Sequence, residues 1–132
     1  MKIMELIDKA ISAREAAYCP YSGFAVGACL VTKNGTFITG CNIENTSYSP
    51  TVCAERVAFF KAVSSGEREF QAIAIVGGMV AEALTFCSPC GVCRQVMSEF
   101  CESDFQIILA KSREDYTVYT LNDLLPLAFH KD

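Results

Sequence analysis

Positive charge is scarce in this chain: 11 Lys and Arg stand against 15 Asp and Glu, for a net charge of −4. The basic surface that carries sequence-independent binding to a phosphate backbone is therefore missing, which argues against long nucleic acid as a partner. No apolar run approaches the roughly 20 residues that a membrane span requires. The first ten residues alternate charged and apolar positions instead of forming an export signal. No low-complexity stretch and no internal repeat is visible. These absences predict a single domain over residues 1–132, cytoplasmic, with a modest but real core.

Cysteine, by contrast, is plentiful, at 8 residues. A secreted disulfide scaffold would have a small core and an export signal, and neither holds here. Cys19, Cys29, Cys41 and Cys101 are scattered through apolar or turn contexts, where a free thiol behaves as a small hydrophobe. Cys53, Cys90 and Cys93 form a cluster. Cys87, three residues before Cys90, is a competitor for membership in it.

The residues Ile3, Leu6, Ile7, Ala10 and Ile11 recur at helical spacing, and this helix is expected to run on to Ala17 and stop at Pro20-Tyr21-Ser22-Gly23. Phe24 to Thr32 and Thr36 to Cys41 read as strands of a hairpin turned by Asn34-Gly35. Pro50 marks the expected start of a second helix, running through Val52, Ala54, Val57, Ala58, Phe60 and Val63 and ending near Ser65-Gly66. Its first turn would carry Cys53, Glu55 and Arg56. Ala72 to Val76 is a strand buried on both faces, ended by Gly77-Gly78. Ser88-Pro89 opens a third helix with Cys90, Cys93, Val96, Met97 and Phe100 on one face. Phe105 to Ala110 is another strand, and Val118 to Thr120 a short one. A brief helix capped at Asn122-Asp123 stops at Pro126 and leaves an apolar tail. This order implies a mixed sheet covered by helices.

Cys90 and Cys93 lie on one helical face, so their sulfurs can converge on one ion. The pair alone serves equally as a redox dithiol. Cys53 breaks the tie by adding a third thiol with a carboxylate, Glu55, two residues on. Three thiolates leave one tetrahedral position open for water, as in catalytic zinc sites. The competing reading is a purely structural zinc whose fourth ligand is Cys87 or the lone His130. Against it, His130 sits at the extreme tail, and the Ser-Pro step after Cys87 favours an extended chain. Zinc with three thiolates has a formal charge of −1, which helix N-termini and Arg56 would offset. Glu55, about 200° from Cys53 on a regular helix, is better placed as a proton shuttle than as a ligand.

Cys53-Ala54-Glu55 followed by Pro89-Cys90-Gly91-Val92-Cys93 resembles the zinc deaminase signature. With the stretches from Tyr21 to Ala28 and from Gly40 to Asn45, the chain resembles the short, homotetrameric cytidine deaminases over essentially its whole length. The resemblance implies a three-layer α/β/α sandwich with a mixed five-stranded sheet, and one zinc per subunit on Cys53, Cys90 and Cys93. It also implies Glu55 as general acid and base, Arg56 as the charge balance, and Ala54 beside the pyrimidine through its backbone. Asn42 and Glu44 match ribose-recognition positions, and Phe24 the aromatic that packs on the base. Phe129 and Tyr48 match residues of a site shared between subunits. The implied activity is hydrolysis of cytidine and deoxycytidine to uridine and deoxyuridine in pyrimidine salvage.

Four rivals remain at this stage. One is a deaminase for another cytosine-containing molecule, such as an aminoacylnucleoside antibiotic, against which Asn42 and Glu44 weigh. Another is an RNA or DNA editing enzyme, against which the acidic balance weighs. The others are a zinc-stapled scaffold and a dithiol redox protein.

Overall fold

The computed structural model describes residues 2–130. Met1, Lys131 and Asp132, the outermost residues of the expected domain, lie outside the described residues. The element order is α1 (Ile3–Arg14), β1 (Phe24–Thr32), β2 (Phe37–Cys41), α2 (Ala54–Ser64), β3 (Phe70–Met79), α3 (Gly91–Phe100), β4 (Gln106–Ala110), β5 (Tyr116–Thr120) and α4 (Leu121–Leu124). The strands form one five-stranded sheet in the order β2-β1-β3-β4-β5. Only β3 and β4 pair in parallel, so the sheet is mixed.

Strand periodicity splits the core between two faces. Ala28 and Leu30 of β1, Ile73 and Ile75 of β3, and Ile107 and Leu109 of β4 pack in one cluster with α2, α3 and α4. The intervening residues Cys29, Val31, Ala72, Ala74, Ile108 and Ala110 pack with Leu6, Ile7 and Ala10 of α1. This is the expected three-layer sandwich. On the α1 side the helix approaches the sheet closely at Gly27. At Gly27 a Cβ would lie 2.1 Å from the Ala10 carbonyl oxygen, so α1 rests directly on the β1 backbone.

Several boundaries differ from expectation for identifiable reasons. Helix α1 stops at Arg14, not Ala17. The Arg14 guanidinium there donates to the carbonyls of Ala25 at 2.8 Å and Gly78 at 2.7 Å, tying the helix end to β1 and β3. Gly77 and Gly78 do not end β3, because they pair antiparallel with Val26 and Ala25. Helix α2 begins at Ala54, not near Pro50, since Val52 is held extended by an antiparallel bridge to Ile43. It buries Ala54, Glu55, Ala58, Phe59 and Ala62, while Phe60 is exposed. Phe59 anchors this layer, with ring centroids 5.2 Å from Phe70 and 6.0 Å from Phe105. Strand β5 begins at Tyr116, and α4 is capped by a Thr120–Asp123 capping box whose N-cap lies two residues before Asn122.

Candidate active site

The three clustered cysteines reach one point from two helix starts. Cys53 is the N-cap of α2, and Cys90 the N-cap of α3, both with extended backbones. Cys53 therefore precedes the helix, and the 200° separation from Glu55 expected of a regular helix does not apply. Cys93 stands at the third position of α3, and its amide donates to the Cys90 sulfur at 3.5 Å. Arg56 holds the same position in α2, and its Nη2 donates to the Cys53 sulfur at 3.4 Å. At α3 the Cys90 sulfur thus replaces the usual hydroxyl or carboxylate cap, whereas Cys53 makes no cap bond and meets the Arg56 side chain instead; both sulfurs stand at the partly positive end of a helix.

The Cys53 and Cys90 sulfurs are 3.7 Å apart, and those of Cys90 and Cys93 are 3.5 Å apart. Tetrahedral zinc with bonds near 2.3 Å would space its sulfurs about 3.8 Å apart. All three sulfurs lie within 4.8 Å of one another. The donor set, the spacing and the lack of a fourth protein ligand among the described residues fit a zinc ion that keeps one position for water. Among the described residues, neither Cys87 nor His130 belongs to this cluster.

Charge in the site is arranged to suit thiolates. Hydrogen bonding from the Cys93 thiol, ahead of that from Arg56, pulls the Cys53 thiol down to about 5. The same contact pushes the Cys93 thiol up. The Arg56 Nε is buried without a partner, an arrangement that normally costs about 1–3 kcal/mol. The fold carries that donor beside anionic sulfur. Glu55 is only 3 % exposed, and burial pushes its carboxyl up to about 7. Cys87 is raised to about 12, chiefly by burial, and is a packing residue wedged against Gly77 and Phe24.

What aims α2 at this point is Gly40 of β2. A Cβ there would lie 2.4 Å from the Ala54 carbonyl oxygen and 2.7 Å from the Ala58 nitrogen. Gly40→Ala is expected to destabilise the chain by about 1–3 kcal/mol through this overlap. The urea midpoint measures it, and an unchanged midpoint would show that the first turn of α2 yields freely.

A second group of polar side chains frames Phe24. The Asn42 amide accepts from the Val26 N–H at 2.8 Å and donates to the Phe24 carbonyl at 2.8 Å. Each end retains a further hydrogen-bonding position. The Glu44 carboxylate accepts from the Tyr21 N–H at 3.0 Å, the Ser22 N–H at 3.1 Å and the Ser22 hydroxyl. These bonds, that from the Ser22 hydroxyl foremost, hold its carboxyl below the usual carboxylate range. Ser22 in turn accepts from the Phe24 N–H at 3.0 Å. Glu44 and Tyr48, with Tyr21, Ser22, Asn45 and Thr51, line a cleft of ≈ 340 Å³. Tyr48 is 76 % exposed and has a positive φ of 61°.

The structure does not bring Phe129 into this group. Its carbonyl accepts from Gln95 at 2.9 Å on the outside of α3, and its ring is 80 % exposed. Ser22, Gly40 and Arg94 are structural participants that sequence reasoning missed. Their partners are mostly backbone atoms, which leave no mark in a residue pattern.

A catalytic-type zinc site on two helix starts, with a buried carboxyl beside it, defines a zinc-dependent hydrolytic enzyme. Residues 1–109 match the family described as the cytidine and deoxycytidylate deaminase zinc-binding region. The cytidine deaminase of Sporosarcina psychrophila is 49% identical over 132 residues, spanning 100% of this chain and 94% of its own. The crystal structure of cytidine deaminase from Burkholderia pseudomallei superposes with a TM-score of 0.89 at 46% identity, covering 98% of this chain and 100% of that one. The blasticidin-S deaminase of Bacillus cereus is 33% identical over 111 residues, 81% of this chain and 78% of its own. The chain belongs to the cytidine and deoxycytidylate deaminase family.

Proposed function

We propose that the chain deaminates cytidine and deoxycytidine hydrolytically, giving uridine or deoxyuridine and ammonia, as a step of pyrimidine salvage. The observation that carries this reading is the buried Glu55 carboxyl next to three convergent sulfurs. Identity to cytidine deaminases of up to 51% over 124 residues, against 33% for the blasticidin-S enzyme, supports a nucleoside over an antibiotic.

In this reading Cys53, Cys90 and Cys93 hold one zinc ion per subunit. Bound zinc supplies a Lewis acid that makes water reactive near neutral pH. The Glu55 carboxylate takes a proton from the water that adds at C4 of the cytosine ring, then returns it to the substrate so that the amino group leaves as ammonia. Burial suits Glu55 to this, since a carboxyl titrating near neutrality can both take and give a proton. Arg56 offsets thiolate charge, and the Ala54 backbone borders the pyrimidine. Phe24 packs on the base, while Asn42 and Glu44 hold a sugar hydroxyl through their remaining hydrogen-bonding positions.

The working assembly is a homotetramer of single domains, residues 1–132, with Phe129 and Tyr48 completing sites shared between subunits. Leu127 at 102 % and Phe129 at 80 % exposure support it, because exposed large apolar groups mark interfaces. A cytoplasmic location is supported by eight free cysteines, as expected in a reducing compartment. No helix among the described residues is long and apolar enough to cross a membrane.

Turnover of cytidine, deoxycytidine, cytosine and adenosine, with zinc measured on the same sample, tests the reading. Protein that carries zinc yet leaves both nucleosides intact would overturn it. A nucleotide substrate is disfavoured by the cleft, whose six lining residues include no cation and one carboxylate, Glu44. Deoxycytidylate should therefore show a kcat/KM at least about 100-fold below that of deoxycytidine, since like-charge opposition costs several kcal/mol. Comparable values for the two would place the chain with the nucleotide enzymes of its family.

A further inference from the structure

The two ligand-bearing helix starts are secured differently. Cys53 follows Val52, whose N–H and carbonyl both pair with Ile43 at 3.0 Å, so a backbone bridge delivers it. Cys90 ends the segment after β3, where Thr85 N–H to Gly77 O at 2.8 Å is the last backbone bridge to the sheet before the ligand. Between Thr85 and Cys90 the chain has no regular structure, and Ser88 and Cys90 are exposed.

The side chain that holds this stretch is Arg94. Its Nε donates to the Pro89 carbonyl at 2.7 Å, its Nη2 to the Ser88 hydroxyl at 2.6 Å, and its Nη1 to the Leu124 carbonyl at 2.6 Å. Pro89 is fully buried, and its carbonyl belongs to the peptide that leads into Cys90. Leu124 ends α4, so the third bond satisfies a terminal helix carbonyl on a separate element. The guanidinium fork can make these bonds together because its donors are rigid and planar. Charge-assisted bonds of this length are the strong kind.

We propose that Arg94 is the positioning residue for the Cys90 ligand, clamping the Ser88–Cys90 approach to both its own helix and the end of α4, and thereby setting how long the site retains zinc. The inference rests on Cys90 being a zinc ligand. Arg94 touches no sulfur, so it acts only through the peptide that bears one. The same clamp joins the zinc approach to the segment that continues into the Leu127 to Phe129 tail.

The experiment follows release of zinc from the purified holoenzyme to a chromogenic chelator. Arg94→Ala should release zinc about 10-fold or more faster than the parent, as loss of an outer hydrogen-bonding partner of a metal ligand does. Arg94→Lys, which restores one bond at most, should fall between, and methylguanidinium should slow release from Arg94→Ala. A control, Ile108→Val on the α1 face, reports the effect of simple destabilisation. Parent-like release from Arg94→Ala overturns the proposal, and so does equally fast release from the control at matched melting temperature. If Arg94→Ala does not fold, Arg94→Lys decides alone, and parent-like release from it counts against the clamp. A parent protein that never holds zinc would instead sink the metal reading itself.

Discussion

Glu55→Gln should turn over cytidine at least about 10²–10⁴-fold more slowly than the parent while binding the same amount of zinc, as expected when a general acid and base is removed. The amide is nearly the same size, so packing around a residue only 3 % exposed is preserved. It cannot accept and return a proton. The loss should appear in kcat, with little change in KM, because the step removed lies after binding. Steady-state kinetics with zinc analysis on one preparation makes the measurement. Turnover within a few fold of the parent would mean that the proton moves by another route.

Cys53→Ala should abolish turnover for a different reason, by removing one of the three sulfurs and with it the zinc. Bound zinc should fall from about one per chain to a small fraction, since two thiolates make a poor site. Stability should fall with it, because metal bound only by the folded state stabilises that state. The melting temperature of the parent should therefore drop when a strong chelator strips the metal, whereas that of Cys53→Ala should not move. A variant that keeps stoichiometric zinc would show that Cys53 is not a ligand. The contrast with Glu55→Gln is informative: one variant keeps the metal and loses the proton shuttle, the other loses the metal.

The parts of the fold legible in the sequence were those set by local chemistry. Asn34-Gly35 dictates its hairpin, with Gly35 at a φ of 90° that a side chain would resist. The cysteine spacing identified the cluster because a helix start brings its first residue near its fourth. What escaped depended on partners distant in sequence. Gly77-Gly78 resembled a stop because glycine pairs punctuate chains, but β1 lies across from them and continues the strand. Pro50 signalled a helix start that the Ile43–Val52 bridge postpones to Ala54. Arg14 and Arg94 each bind carbonyls far along the chain, 64 and 30 residues away, and an arginine's destination cannot be read from its neighbours.

Within the site, the separation was similar. Cys53, Glu55, Cys90 and Cys93 lie at or next to a helix start, and their convergence could be anticipated from it. The dual employment of Asn42 could not, because its partners are backbone atoms of β1.

That dual employment limits how such a pocket can be redesigned. On the proposed reading, an engineer wishing to change which sugar is accepted would look first to position 42, yet the amide there also pins the Phe24 carbonyl and the Val26 N–H. Replacing it would disturb the start of β1 along with any contact to a sugar. If the cleft holds the sugar, selectivity is more readily sought at Asn45 and Thr51, which line it and make no bond to Phe24 or Val26.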